Sequence, residues 1–252
     1  MSRAARVKSR TGIYHVMARG NNKDRIFFDV EDYSTYVNMI KHVLKKNDPS
    51  IYAYCLMTNH IHMIIKENQS ELSEIVKNIN SSFAQFMNNK YKRVGHLFQG
   101  RYRSEPIEKE SYFFAAIRYV HNNPVAAGIT DNVSKYPWSS YHAYVNNDNR
   151  IVDIDTLLDY FSKDRETAIN QFKDFSNKTD NTILIDEELE REYLERIISN
   201  IKEEIEREEK VSSENAQVIL VKRLINNYNI SQQVVSEILK VSPYKIRKII
   251  NI

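Results

Sequence analysis

The sequence has only one cysteine, Cys55, among its 252 residues. A single thiol cannot form an internal disulfide, and it cannot supply the group of thiolates that a zinc finger needs. The chain also has no apolar run of about 18 residues, the length that a membrane-spanning helix requires. The basic start, MSRAARVKSR, is not followed by the apolar stretch of an export signal. These absences predict a protein of the reducing cytoplasm, without disulfides and without a membrane span.

Charge is unevenly distributed along the chain. Residues 1–150 have a net charge of +8 (21 basic, 13 acidic), residues 151–210 of −9 (9 basic, 18 acidic) and residues 211–252 of +4 (6 basic, 2 acidic). Two basic blocks around an acidic one suggest nucleic-acid surfaces at both ends, with a solvated spacer between them. Basic blocks are about as often a feature of solubility alone, so charge does not decide the function.

The spacing of apolar residues predicts alternating strands and helices in the first part of the chain. Strands are predicted at 13–20, 51–57, 60–66 and within HLFQGRYRSEPI after Gly95, and helices at 31–46 and 71–92. The order β-α-β-β-α-β predicts an α+β fold with a ferredoxin-like antiparallel sheet. Two helices cover one face of such a sheet, and we expect the other face to be open to nucleic acid.

The rest of the chain is predicted to be helical. A third helix is expected at 109–122, where Pro124 in NNP should end it. The stretch 146–210 is expected to be an acidic helical connector, which leaves 1–145 as the first domain. Residues 211–252 have the helical spacing of a helix-turn-helix module that would bind duplex DNA, although small three-helix modules also bind proteins. Its last helix, capped by Ser242, carries Lys245, Arg247 and Lys248.

The segment TNHIHMIIK, residues 58–66, places two histidines in a run that otherwise has the pattern of a buried strand. Side chains alternate along a strand, so His60 and His62 share one face. Neighbours on one face lie roughly 7 Å apart, which allows two imidazoles to bind one cation. A motif this short also arises by chance, as two polar residues on a half-exposed face.

The third predicted helix supplies candidates for further roles at a metal site. Tyr119 and Asn123 are four residues apart and therefore lie one above the other. Asn123 is a candidate third ligand, and Tyr119 is a candidate nucleophile activated by a metal or by nearby cations. Any one of 16 tyrosines is more often a core or surface aromatic. The candidate cations, which would also contact DNA, are Arg101, Arg103 and Arg118.

Four segments together resemble the REP-associated tyrosine transposases, a branch of the single-tyrosine HUH transposases. They are YHVMARGNN, MTNHIHMIIK, GHLFQGRYRS and IRYVHNNPVAAG, which occur in the family's order over roughly residues 10–145. The resemblance implies an HUH nuclease fold and a divalent metal, Mg or Mn. It also implies cleavage of single-stranded DNA, with hairpin-containing repeats as the expected partner. The product would be a 5′-phosphotyrosine intermediate and a free 3′-hydroxyl.

The resemblance also implies residue roles. It makes Tyr119 the nucleophile and His60, His62 and Asn123 the metal ligands. It further implies DNA contacts from Arg19, Asn21, Arg101 and Arg103. The sequence departs from the family at Ala126, where an arginine is common, and in the C-terminal module, which is not part of the core pattern.

Three functions are compatible with these features. The favoured one is an endonuclease and strand transferase for single-stranded DNA. A domesticated relative that binds and regulates repeat elements is an alternative. The intact Tyr119, His60 and His62 argue against lost catalysis but leave a regulatory role open. A replication or plasmid-transfer initiator shares the chemistry but usually has a different motif order.

Overall fold

The structure, a computed structural model, describes residues 7–177, 198–199, 201–207, 213–226 and 232–250. The chain divides into two compact units, Met1–Lys178 and Thr179–Ile252. The first unit contains the predicted sheet.

The sheet has four antiparallel strands in the order β2-β3-β1-β4. The strands are β1 (Ile13–Arg19), β2 (Ser50–Leu56), β3 (His60–Lys66) and β4 (Arg103–Pro106). With α1 (Val30–Asn47) and α2 (Leu72–Tyr91) between them, the element order is β-α-β-β-α-β. This strand order and connectivity confirm the predicted ferredoxin-like α+β fold.

The helices α1 and α2 cover one face of the sheet. Both have an apolar stripe at helical spacing, and these stripes bury Ile40 of α1 and Phe83 of α2 against Ile61 and Met63 of β3. The helix α1 begins at a capping box, in which Asp29 accepts a hydrogen bond from the Asp32 amide. The core of the first unit therefore lies between this helix pair and the sheet.

The opposite face of the sheet was predicted from the sequence to be open, and that prediction was wrong. It is covered in part by α3 (Glu110–Ala126), which packs on β2 and β3. The reason is the apolar stripe of α3: Phe113, Ile117 and Val120 are buried there. Burial of this stripe stabilises the packing of α3 on the sheet.

The third helix is also longer than predicted. Pro124 does not end it, and α3 continues to Ala126. The Ala127 amide donates to the carbonyl oxygen of Asn123 at 2.8 Å, which closes a helical turn beyond the proline. Proline lacks an amide hydrogen and crowds the turn before it, but the residues after it can still form helical hydrogen bonds. The turn that contains Asn123 is therefore helical on both sides of this residue.

The first unit extends well beyond residue 145, the boundary predicted from the sequence. It includes α4 (Tyr141–Val145), α5 (Asp155–Phe161) and α6 (Arg165–Asn177). Phe172 of α6 is fully buried and stacks on Tyr144 with ring centroids 4.5 Å apart. Residues 146–177 thus pack in the first unit, whereas their acidic composition suggested a solvated connector.

The second unit contains α7 (Ser213–Asn226), α8 (Gln232–Leu239) and α9 (Pro243–Ile250). Ile201 and Ile205, in the helical residues 201–207, belong to the same apolar cluster as Val221 and Ile246. Part of the predicted connector is therefore core of this unit. The remainder of that connector, residues 178–197, 200 and 208–210, lies outside the described residues. None of the helices in the described part of the chain is long and apolar enough to cross a membrane.

Candidate active site

The candidate site lies where β1, β3 and α3 meet. Because paired residues of neighbouring strands point to the same side, the register places Arg19 beside His60, and Met17 beside His62. The helix α3 brings Tyr119 and Asn123 over these positions. His60, His62 and Asn123 are all more than 90% buried, so the half-exposed face expected for the histidines is instead enclosed.

His60 is held between two asparagines. Its Nδ1 lies 2.7 Å from Oδ1 of Asn59, and its Nε2 lies 3.2 Å from Oδ1 of Asn123. Asn59 uses its amide nitrogen to donate to the carbonyl oxygen of Lys23, so its oxygen accepts the proton of His60 Nδ1. In a neutral imidazole, Nε2 then carries a lone pair that faces the oxygen of Asn123. Two acceptors directed at each other are stabilised by a cation between them.

His62 has an imidazole neighbour instead of an amide. Its Nδ1 lies 3.0 Å from Nε2 of His15, and the ring centroids are 5.2 Å apart. Burial, aided by the charges of His60, His15 and Arg19, holds the pKa of His62 well below its usual range. Burial also lowers the pKa of His15 to about 4. Both rings are therefore neutral at pH 7, as metal binding by an imidazole requires.

The outer nitrogen of His62 is the most informative atom of the site. His62 Nε2 is buried and has no hydrogen-bond partner among the described residues. A buried polar atom without a partner is costly, and such atoms often mark a bound ion or water. Together with the facing atoms of His60 and Asn123, it gives a donor set of two imidazoles and one amide oxygen, which fits a divalent cation.

No three His, Cys, Asp or Glu side chains converge to hold a metal in the part of the chain that the structure describes. A third protein ligand would therefore have to be of another type. Asn123, whose oxygen lies beside His60, meets this requirement.

Tyr119 lies directly against the histidines. The centroid of its ring is 5.6 Å from that of His62 and 5.8 Å from that of His15, with edge-on geometry in both pairs. The side chain is only partly buried. Tyr112, two turns earlier on α3, donates instead to Glu105 at 2.9 Å. Of these two tyrosines, only Tyr119 has ring contacts with His62 and His15.

The predicted DNA-binding residues of the first unit have different surroundings. Arg19 is buried next to the histidines and contributes to the low pKa of His62. Arg101 and Arg103 are exposed, and Arg103 begins β4. Arg118 does not join the histidine group: its guanidinium carbon lies 4.6 Å from the ring centroid of Phe175 in α6.

Asn21 lies in the turn Asn21–Lys23 that follows β1. This turn is held against the hairpin of β2 and β3, since the Gly20 amide donates to the carbonyl oxygen of Asn59 at 2.8 Å. A Cβ on Gly20 would lie 2.1 Å from the carbonyl oxygen of Asp24, so only glycine fits here.

In the second unit, Ser242 directly precedes α9, and its hydroxyl accepts a hydrogen bond from the Lys245 amide at 3.3 Å. The side chains of Lys245, Arg247 and Lys248 are exposed, as expected from their spacing between the buried Ile246 and Ile249. Lys245 donates to Oε1 of Gln217 in α7 at 3.0 Å. Arg247 and Lys248 are the other two exposed basic residues of α9.

Two residues near the site were missed from the sequence, His15 and Asn59. Asn59 directly precedes His60, and its position in the hairpin turn was the available signal. His15 shares its face of β1 with Arg19 at a spacing of two, but its contact with His62 depends on the register between β1 and β3. A single sequence does not reveal that register.

Residues 8–123 match the family model described as Transposase IS200 like. No curated protein is significantly similar to the chain in sequence. The matched segment contains the whole sheet, both histidines, Tyr119 and Asn123. This match confirms the family resemblance seen in the sequence for residues 8–123.

Solved structures with similarity to this chain include two transposases. One is the REP-associated tyrosine transposase bound to a REP hairpin, with a TM-score of 0.50, 20% identity, and coverage of 62% of this chain and 90% of that one. The other is a candidate transposase from Deinococcus radiodurans R1, with a TM-score of 0.35, 16% identity, and coverage of 48% and 97%. The fold comparison rests on the first, and it supports the same fold for the first unit.

Proposed function

We propose that this transposase-family protein cuts and rejoins single-stranded DNA through a covalent bond to Tyr119, with a divalent metal held by His60, His62 and Asn123. The observation that carries the proposal is the convergence of these four side chains. His62 has a buried nitrogen without a partner among the described residues, and its ring centroid lies 5.0 Å from that of His60, whose Nε2 faces the oxygen of Asn123. Tyr119 packs edge-on against His62.

The metal ligands are neutral side chains, so the full charge of the cation remains available to the substrate. Bound there, Mg²⁺ or Mn²⁺ supplies Lewis-acid stabilisation of the charge that develops on the non-bridging oxygens of the scissile phosphate. His62 keeps this role in mild acid, because burial holds its pKa well below the usual range.

Tyr119 forms the covalent intermediate. Its phenolic oxygen attacks phosphorus, the bond from phosphorus to the 3′-oxygen breaks, and a 5′-phosphotyrosine and a free 3′-hydroxyl result. The proton lost by Tyr119 is balanced by the one gained by the leaving 3′-oxygen. Attack by a 3′-hydroxyl on the phosphotyrosine reverses these bond changes and rejoins DNA.

The DNA partner of the first unit is proposed to be single-stranded and to contain hairpins. The similar structure described above was solved with a REP hairpin, and the fold is shared. Arg19, Asn21, Arg101, Arg103 and Arg118 are proposed to contact this DNA. A cytoplasmic location remains a prediction from the sequence.

The test is covalent trapping. Full-length protein is incubated with Mn²⁺ and a pool of labelled single-stranded hairpins, and the DNA that stays attached under denaturing conditions is sequenced. We expect Tyr119→Phe to abolish cleavage and attachment, because it removes the nucleophilic oxygen and little packing. DNA binding should stay within a few-fold of the wild-type value.

Tyr112→Phe is the matched control. It removes a hydroxyl from the same helix, but that hydroxyl donates to Glu105. Attachment should therefore persist in this variant. A covalent adduct formed by the Tyr119→Phe variant would disprove the assignment of the nucleophile.

A further inference from the structure

The contact between His15 and His62 has a property that the proposed function does not use. The nitrogens His15 Nε2 and His62 Nδ1 are 3.0 Å apart, and a gap of this length between two neutral rings holds one proton. The other nitrogen of each ring, His15 Nδ1 and His62 Nε2, is buried without a hydrogen-bond partner among the described residues.

The shared proton can be placed in two ways. If His15 holds it, the remaining proton of His62 is on Nε2, and that nitrogen cannot bind a metal. If His62 holds it on Nδ1, then Nε2 of His62 carries a lone pair directed into the site, and His15 acts as the acceptor. Either arrangement leaves one ring N–H buried without a partner, so the metal-free pair has no fully satisfied state. Only in the second arrangement does His62 Nε2 gain a partner when a cation binds.

We propose that His15 is a positioning residue: by accepting the proton of His62 Nδ1, it fixes the tautomer and ring orientation in which His62 binds a metal. The proposal rests on the metal site proposed above. Asn59 does the same for His60, but its oxygen can only accept, whereas an imidazole can accept or donate.

The contact cannot be replaced by packing alone. His15 is 3% exposed on β1, and its ring also lies 5.8 Å from that of Tyr119. A phenyl ring at this position fills the space but offers no acceptor to His62. A glutamine offers a carbonyl oxygen, which accepts the same hydrogen bond. Comparison of these two substitutions separates the hydrogen bond from the shape of the side chain.

The experiment is a calorimetric titration of the full chain with Mn²⁺ in the absence of DNA. His15→Phe should weaken Mn²⁺ binding by about 10- to 100-fold, the usual effect of removing the hydrogen-bond partner of a metal-binding histidine. His15→Gln should remain within a few-fold of wild type, and His62→Ala should lose binding. Wild-type affinity in the His15→Phe variant would overturn the positioning role.

A second measurement uses only the wild-type protein, in case His15→Phe does not fold. Nitrogen shifts of ¹⁵N-histidine-labelled protein loaded with Zn²⁺ report which ring nitrogen carries each proton. We expect His62 protonated on Nδ1 and His15 bare on Nε2, and the reverse pattern would overturn the proposal. If wild type and His62→Ala bind Mn²⁺ equally, the metal site itself is wrong, which is a distinct result from a failure at His15 alone.

Discussion

Individual buried histidines make the stability of this protein sensitive to acid. His121 is fully buried, with its Nε2 2.8 Å from the Ser140 hydroxyl. Burial, together with the charge of His142, lowers its pKa to about 3, and burial lowers the pKa of His15 to about 4. In the unfolded chain both groups return to about 6.5.

We therefore expect the metal-free protein to lose stability as the pH falls from about 6.5 towards 4. In this range the unfolded chain binds protons that the buried rings do not accept, so the free energy of unfolding decreases by about 2 kcal/mol per such histidine at pH 5. The measurement is urea unfolding at pH 7 and pH 5 in EDTA. His121→Gln, which can keep a hydrogen bond to Ser140, should reduce the difference between the two values by about 2 kcal/mol.

His42, exposed on α1, is the matched control. Its side chain is exposed and makes no buried contact among the described residues, so His42→Gln should leave the free energy of unfolding at pH 7 as in wild type. An unchanged pH dependence in His121→Gln would show that this ring does not resist protonation in the folded state.

At the scale of secondary-structure elements, the helix α6 belongs to the domain that carries the site. Phe172 packs against Tyr144 and His121, and the Asn122 side chain donates to the carbonyl oxygen of Ser176 at 2.9 Å. Loss of α6 would expose the apolar side of α3 that faces away from the sheet. The helix that carries Tyr119 would then lack support on that side.

We predict that residues 1–178 form a stable fragment and that residues 1–145 do not. The longer fragment should melt in one cooperative transition, followed by circular dichroism, and the shorter one should be unfolded or insoluble. In the full chain, Phe172→Ala should cost about 3–5 kcal/mol of stability through the cavity it leaves. Cooperative melting of the 1–145 fragment would restore the boundary predicted from the sequence.

The sequence predicted elements better than their contacts. The strands and helices around the sheet were predicted from local apolar spacing, and the candidate residues His60, His62, Tyr119 and Asn123 from short motifs and a family resemblance. The cover of α3 over the second face, the packing of α6 and the contact of His15 with His62 were not predicted. Each depends on contacts between residues distant in sequence, such as the register that aligns Met17 with His62.

The extension of α3 past Pro124 was missed for a related reason. Proline disfavours a helix locally, but this proline is buried with its helix turn, and tertiary packing outweighs that preference. The acidic composition of residues 146–177 misled in the same way. Their charged residues obscured a small number of buried positions, of which Phe172 is the largest.

At the scale of the whole molecule, the chain is proposed to hold two forms of DNA. In this proposal the first unit takes unpaired DNA, whereas α9, as the recognition helix of a helix-turn-helix module, would fit the major groove of a duplex. Tyr244, Arg247 and Lys248 are exposed on α9. The apolar cluster of the module includes Ile201 and Ile205. Removal of the chain from residue 211 onward would leave these two residues without the side chains against which they pack.

We predict that deletion of residues 179–252 leaves cleavage of short single strands intact and weakens binding to substrates with duplex flanks. The logarithm of the binding constant should also depend less steeply on the logarithm of salt concentration, by roughly one unit for each phosphate that the module neutralises in the full-length protein. Fluorescence anisotropy at several salt concentrations measures both. The double substitution Arg247→Ala and Lys248→Ala should reproduce part of the effect.

Short single strands are the control substrate, since both proteins should bind them alike. Equal affinity and equal salt dependence of the full-length and shortened proteins on duplex-flanked DNA would identify the module as a protein-binding unit. Such a result would leave the chemistry proposed for the first unit unaffected.

Both histidines of the pair lie on β3, an interior strand bonded to β2 on one side and to β1 on the other. Interior strands open to solvent only when the sheet itself separates, so their amide hydrogens are expected to exchange at the rate of global unfolding. Local opening of the structure elsewhere should therefore leave the spacing of the two imidazoles unchanged. Movements that would admit and release DNA are then expected in the surrounding turns and helices, while the two histidines keep their positions for as long as the sheet does.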